Sequence, residues 1–183
     1  MDQTEYDALL TAQAAYLGRI KSWTRFTASL LCQMHRDWLG GIYEWAGKYR
    51  SVEMAKAGFH WPPAFRVPAN MQAFENGLLR QDTPCRPGPV QEVTERIARV
   101  HADLLLIHPF RDGNGRLARW LADLMAMQAG FPPLDYRFSG RGSRRTRAEY
   151  LAAVKLGYLA DYAPLADFFR EALLRRFPEA ADR

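Results

Sequence analysis

The chain has 183 residues, of which 48% are hydrophobic and 25% charged. That is an ordinary composition for one folded domain with its own core. The net charge of +5 and pI near 9.4 suit nucleic acid, a membrane surface or an acidic partner alike and select none of them. Cys32 and Cys85 lack CxxC spacing, which argues against a disulfide framework or a zinc site. The opening MDQTEYDALL has no signal-peptide pattern, and the longest purely aliphatic run, Leu104 to Ile107, is far too short for a membrane span. The expectation is a cytoplasmic protein with free thiols, secretion as an effector staying open.

In chain order, Thr4 can cap a first helix that places Tyr6, Leu9, Leu10, Gln13, Leu17 and Ile20 on or near one face. Ser22 to Thr27 reads as a turn. Thr27 to Leu39 reads as a second helix, with Leu30, Leu31, Met34 and Trp38 at helical spacing, Cys32 as packing, and Gly40-Gly41 as its stop. Tyr43, Trp45 and Tyr49 are expected in the core, because aromatic side chains dominate core burial. Residues 50–68 have no helical period and carry Gly58, Pro62, Pro63 and Pro68, so a short edge hairpin is the most they can form. Asn70 to Gln81 reads as a third helix and Asp82 to Pro89 as a proline-rich loop. Val93 to Ile107 has a helical apolar stripe that Pro109 ends. A further helix follows Asn114, capped by Asp112 or Asn114, with Leu117, Trp120, Leu121, Leu124 and Met125 on one face. Leu134 to Arg145 reads as a loop. Thr146 and Glu149 form a capping box that opens a helix through Tyr158, and Pro164 starts the last helix, with Leu165, Phe168, Phe169 and Leu173 inward.

The stretch that carries chemistry is His108 to Arg119, HPFRDGNGRLAR. It is a helix–loop–helix with glycines at the start of the second helix. The first N–H groups of a helix lack internal partners and face the positive end of its dipole, which makes an anion site suited to phosphate. Arg116 and Arg119, three apart on that helix, share a face and oppose the dipole unless an anion lies between them. His108 is the side chain suited to accept a proton near neutral pH. Asp112 is the one carboxylate of the loop: it is either a Mg²⁺ ligand together with phosphate oxygens or a turn residue. Gly113 to Ala118 also fits GxGxxA, but a helix precedes it and no βαβ pattern exists, so a dinucleotide fold is rejected.

HPFRDGNGRLAR resembles the Fic motif, HPFx(D/E)GNGRxxR, at every specified position. The segment from Ile42 to Glu75 is similar to the family's region ahead of the motif, and Ala55 to Phe59, AKAGF, to its flap. The resemblance covers about residues 27–130 well. It implies an all-α fold, a Fic-type helical bundle with a short β-hairpin flap, in a single domain over residues 1–183 whose C-terminal helices occupy 146–177. It further implies transfer of AMP from ATP to a Ser, Thr or Tyr hydroxyl of a target protein. His108 would be the general base and Asp112 the Mg²⁺ ligand. Gly113, Asn114 and Gly115 would offer backbone N–H groups to the phosphates, Arg116 and Arg119 would hold the terminal phosphates, and Lys56 would contact the nucleotide from the flap. Phe110 would anchor the loop in the core. The target would dock on the flap, residues 50–68, by β-strand addition.

Family members with lysine in place of Gly115 are kinases, so adenylylation is preferred here, with UMP or another nucleoside monophosphate as the alternative group. The arginine run at 137, 141, 144, 145 and 147 raises nucleic-acid binding, but no recognition helix or stacking module accompanies it. A protein-binding relative without activity is disfavoured by the intact motif. The family's inhibitory pattern, (S/T)xxxE(G/N), is absent: Glu75-Asn76 has Met71 four positions earlier, and the C-terminal EALLRRFPEAADR also lacks it. The expectation is therefore no self-inhibition, with a separate antitoxin-like partner supplying a glutamate to Arg119, or no restraint at all.

Overall fold

A computed structural model describes residues 2–56 and 58–179. Ala57 of the AKAGF run and residues 180–183 of the C-terminal segment lie outside them. Among the described residues eight α-helices, α1 (Gln3–Arg19), α2 (Ala28–Leu39), α3 (Val67–Phe74), α4 (Arg80–Asp82), α5 (Val90–Ile107), α6 (Asn114–Gln128), α7 (Ser143–Gly157) and α8 (Ala163–Leu174), surround one core. One antiparallel hairpin, β1 (Ala55–Lys56) with β2 (Phe59–His60), projects from them, with Ala55 opposite His60 and Lys56 opposite Phe59. The expected helical bundle with a short flap is what forms. Among the described residues no helix is long and apolar enough to cross a membrane.

The central element is α5. Its stripe of Val93, Ile97, Val100 and Leu104 is buried, and it packs against α6, α7 and α8. A Cβ on Gly157 of α7 would come 2.7 Å from the Ala102 Cβ of α5, so glycine there sets how closely the two helices approach. Asp82, 3% exposed, accepts two bonds from Arg99 at 3.0 Å each, which ties α4 to α5. Gln128 at the end of α6 accepts from the Cys85 N–H and donates to the Lys21 and Thr24 carbonyls, so that two loops close on one buried amide.

Some expectations held in detail and others did not. Thr27 caps α2 as expected, its hydroxyl accepting from the Leu30 N–H at 3.1 Å. The third helix is longer and irregular: a 3₁₀ turn at Ala64–Arg66, then α3, a π-helical turn at Glu75–Leu79, and α4. Asp2 rather than Thr4 precedes α1, and its buried face is Glu5, Leu9, Ala12 and Tyr16, leaving Tyr6, Leu10 and Leu17 exposed. The helix is rotated from its apolar stripe because Glu5 is drawn inward by partners far along the chain. The helix expected from Thr146 begins at Ser143, so Thr146 lies inside α7 and its hydroxyl turns back to the Gly142 carbonyl instead of forming a capping box.

Candidate active site

The loop between α5 and α6 is built by contacts that begin with the backbone. α5 ends at Ile107, and His108 takes a left-handed conformation, φ 52° and ψ 60°. For a non-glycine residue this costs about 1 kcal/mol and persists only where the surroundings enforce it. Arg50, 4% exposed, supplies that enforcement: its Nε donates to the His108 carbonyl at 2.7 Å, and its Nη1 and Nη2 donate to Val52 and Pro62. Its own backbone N–H bonds the Pro109 carbonyl at 2.8 Å. A buried guanidinium at the C-terminal end of α5 also complements the helix dipole.

Phe110 is fully buried, as expected of an anchor. It stacks on His35 of α2, with centroids 3.9 Å apart and planes within 8°. His35 accepts at Nδ1 from the Gly47 N–H at 2.9 Å, so its Nε2 carries the proton and donates to the Asp112 carbonyl at 3.0 Å. Burial pushes the His35 pKa down to about 4, which keeps this strut neutral. Asn114 folds back on the loop, accepting from the Phe110 N–H and donating to the Phe110 carbonyl at 2.9 and 2.7 Å.

Neither Asp112 nor Asn114 caps α6, contrary to expectation: Gly113 precedes the helix at φ 81°. A side chain there would come 2.8 Å from the Trp38 ring and 3.2 Å from His35 Nε2, so only glycine lets the loop lie this close to α2. The Gly113 N–H is already used, donating to Asp112 Oδ1 at 2.6 Å. Of the three expected N–H donors, Asn114 and Gly115 are left to open the helix toward a ligand.

A cleft of about 500 Å³ lies in front of this loop, of a size that holds a nucleotide. Its floor is His108, Asp112, Asn114, Gly115 and Arg119, with Lys56, Met54, Ala55, Phe59 and Trp61 on the flap side. The opposite wall is α7, through Tyr150, Leu151, Val154, Lys155 and Tyr158. Sequence reasoning passed over this wall. Its signal was Leu151, an apolar residue 55% exposed beside the core residue Val154.

The imidazole of His108 faces this cleft with its proton placed. Nδ1 lies 3.1 Å from the Leu105 carbonyl, which can only accept, so Nδ1 holds the hydrogen and Nε2 is bare. Its pKa is lowered to about 4, mainly by burial, with the bond to the Leu105 carbonyl and the charge of Asp112 opposing the shift and Arg50 and Lys56 adding to it. The group is therefore neutral, a proton acceptor, across the neutral range. Below Arg119, the buried His101 accepts from Tyr150, with Nε2 and the hydroxyl oxygen 2.7 Å apart, while its Nδ1 donates to the Ala118 carbonyl. Arg119 lies over the Phe138 ring at 5.3 Å.

Arg116 is not in the cleft. Its Nη1 pairs with Glu5 Oε2 at 2.6 Å, its Nη2 lies 3.2 Å from Asp112 Oδ2, and its guanidinium sits 4.6 Å over Trp38. Of the two arginines expected to hold phosphates, Arg119 lines the cleft and Arg116 does not. The reason is a carboxylate 111 positions away in the chain, Glu5, which α1 brings to the base of the loop. Glu75 is also accounted for: it accepts from the Ala28 N–H at 2.8 Å, at the start of α2. Among the described residues no glutamate is paired with Arg119.

Residues 25–126 match the Fic/DOC family. A protein adenylyltransferase Fic from Nematostella vectensis is 39% identical over 113 residues, covering 61% of this chain and 25% of that protein. A protein adenylyltransferase fic-1 from Caenorhabditis briggsae is 33% identical over 151 residues, covering 80% of this chain and 28% of that protein. The chain thus spans about a quarter of the length of these curated relatives. Among solved structures, a fragment of Fic-1 from Caenorhabditis elegans superposes with a TM-score of 0.71 at 26% identity, covering 97% of this chain and 49% of that one.

Proposed function

This chain belongs to the Fic/DOC family, and from that premise we propose that it is a protein adenylyltransferase, moving AMP from ATP to a hydroxyl of a target protein. The observation that carries the reading is one juxtaposition. A histidine with a bare Nε2 and an arginine with no carboxylate partner among the described residues line the same cleft, beside the open N-terminus of α6.

The triphosphate lies against the N–H groups of Asn114 and Gly115 and against Arg119, whose guanidinium suits bidentate contact with phosphate oxygens. The nucleoside then lies along the α7 wall, against Leu151, Val154 and Tyr158. Lys56 reaches the phosphates from the flap. Asp112, with a side chain 64% exposed at the floor of the cleft, still has lone pairs on both oxygens beyond its bonds to Gly113 and Arg116. One carboxylate completed by phosphate oxygens and water suits Mg²⁺, which would neutralise charge on the leaving pyrophosphate. Arg116 holds Asp112 rather than the nucleotide.

An extended segment of the target pairs with the exposed β1–β2 hairpin and brings a Ser, Thr or Tyr hydroxyl over His108. The hydroxyl oxygen attacks the α-phosphorus, its proton passes to Nε2 of His108, the bond to the β-phosphate oxygen breaks, and pyrophosphate leaves. A base held near 4 in the free protein is weak, but the bound polyanion favours its protonated form and raises its basicity as the proton arrives. Among the described residues no glutamate restrains Arg119, and an antitoxin-like partner would supply one from outside them.

Replacement His108→Ala is expected to lower transfer of labelled AMP to a lysate or to the protein itself by at least about 100-fold, while ATP affinity stays within about 3-fold, because the imidazole serves the attacking hydroxyl. Retention of most of the transfer rate would overturn the assignment.

A further inference from the structure

Trp61 has no part in the chemistry above, yet it is placed against the base. It follows β2 directly, and its indole lies over the His108 imidazole with centroids 4.1 Å apart and planes at 34°. Its Nε1–H donates to the Leu105 carbonyl at 2.9 Å, the same oxygen that accepts from His108 Nδ1 at 3.1 Å. A carbonyl oxygen has two lone pairs, so both donors are satisfied at once. The Trp61 backbone N–H closes the hairpin on the Met54 carbonyl at 3.1 Å. The next carbonyl, that of Pro62, is held by Arg50, which also holds the His108 carbonyl. On its other side Trp61 meets the edge of Phe59 at 5.3 Å, and Phe59 packs on Tyr158 of α7.

We propose that Trp61 is a positioning residue for His108: it fixes the imidazole plane, excludes water from the Nδ1 side and so holds the Nδ1–H form that leaves Nε2 bare toward the cleft. A histidine at a helix end with one hydrogen bond can turn about its side-chain torsion and can exchange tautomers through water. An indole face across the ring, anchored on the same carbonyl, removes both freedoms. Because Trp61 belongs to the flap, it joins the surface that would receive the target to the base that would activate it. This last point rests on the proposed transfer reaction; the geometry of Trp61 and His108 does not.

The charged groups facing His108 are Arg50 at the start of the flap, Lys56 on β1 and Asp112 in the loop. None of them is altered by replacing Trp61, so a change in His108 reports water and ring orientation. The test is long-range ¹H–¹⁵N NMR of the His108 imidazole in the ligand-free chain, across pH 3 to 8. The wild type should show the Nδ1–H form and titrate near 4. With Trp61→Leu the Nε2–H form should gain population and the midpoint should rise by about 1–2 units, toward the solvated value. Trp61→Phe, which keeps a ring face but no N–H donor, should fall between the two.

In transfer assays kcat for Trp61→Leu should drop about 10–100-fold, as misplacement of a catalytic group does, with KM for ATP changing less and the acid limb of the rate profile moving up. If Trp61→Leu does not fold, Trp61→Phe decides by the same spectra. Wild-type tautomer and midpoint in the variants that fold would overturn the proposal. The spectra need no transfer, so a chain that transfers nothing but shows a Trp61-dependent imidazole refutes only the proposed function.

Discussion

Arg116 and Arg119 leave the same helix one turn apart and meet opposite surroundings. Behind the loop, Arg116 is bound by Glu5 and Asp112 and covered by Trp38. In front of it, Arg119 lines the cleft on the ring of Phe138 with no carboxylate paired to it among the described residues. Glu5 is 6% exposed, and bonds from Arg116 and Tyr43 hold its carboxyl below the usual carboxylate range against the opposing effect of burial. An arginine neutralised by a buried carboxylate is part of the frame, whereas an arginine left charged at a cavity wall is available to an anion. The same residue type at helical spacing is tied into the frame on one side and left open to the cleft on the other.

The largest effect that separates the two sides is on stability. Arg116→Ala strands the Glu5 carboxylate in the core and should cost about 2–3 kcal/mol in urea melts, since breaking a buried pair leaves an uncompensated charge. Replacing both partners by apolar residues should cost less than the single change. Equal stability loss from Arg119→Ala would break the contrast. The next effect is on binding. Arg119→Ala should weaken ATP by about 10–100-fold, the worth of charged hydrogen bonds to phosphate, with stability within about 0.5 kcal/mol. Titration calorimetry showing Arg116→Ala to weaken ATP more than Arg119→Ala would reverse the assignment.

A smaller effect crosses both sides. His35 behind the loop and His108 in the cleft are pushed down to about 4, and His101 beneath Arg119 to about 3, in each case mainly by burial. Between these values and the unfolded value near 6.5 the unfolded chain binds more protons, so stability is complete above about 6.5 and falls as pH drops toward 4 and below. Denaturant midpoints measured from pH 7 to 4 should decline, and His101→Gln should flatten the decline. A rise in stability on acidification would show that these histidines are not held neutral.

Much of this was legible because it is local. The HPFRDGNGRLAR run places His108, Asp112, Asn114, Gly115 and Arg119 on one loop by chain continuity alone, and all five line one cleft. The turn at Pro109, the Thr27 cap and the apolar stripe of α5 are likewise set by neighbours within a turn or two. What was missed depends on distant partners. α1 was read by its apolar residues, but Glu5 meets Arg116, Tyr43 and Trp38, and these contacts turn a different face inward. Arg50 gave no signal because its partners are backbone carbonyls near 108 and 62, which no side-chain pattern reveals.

The sequence alone therefore determined the helical class, the short hairpin, the family and the floor of the site, since these follow from periodicity, proline and glycine placement and one contiguous motif. The tertiary structure alone decided three things. It made α7 the second wall of the cleft, withdrew Arg116 from it, and laid Trp61 over His108. Each joins residues dozens of positions apart, and helix packing, with buried charge requiring a partner, sets which of them meet.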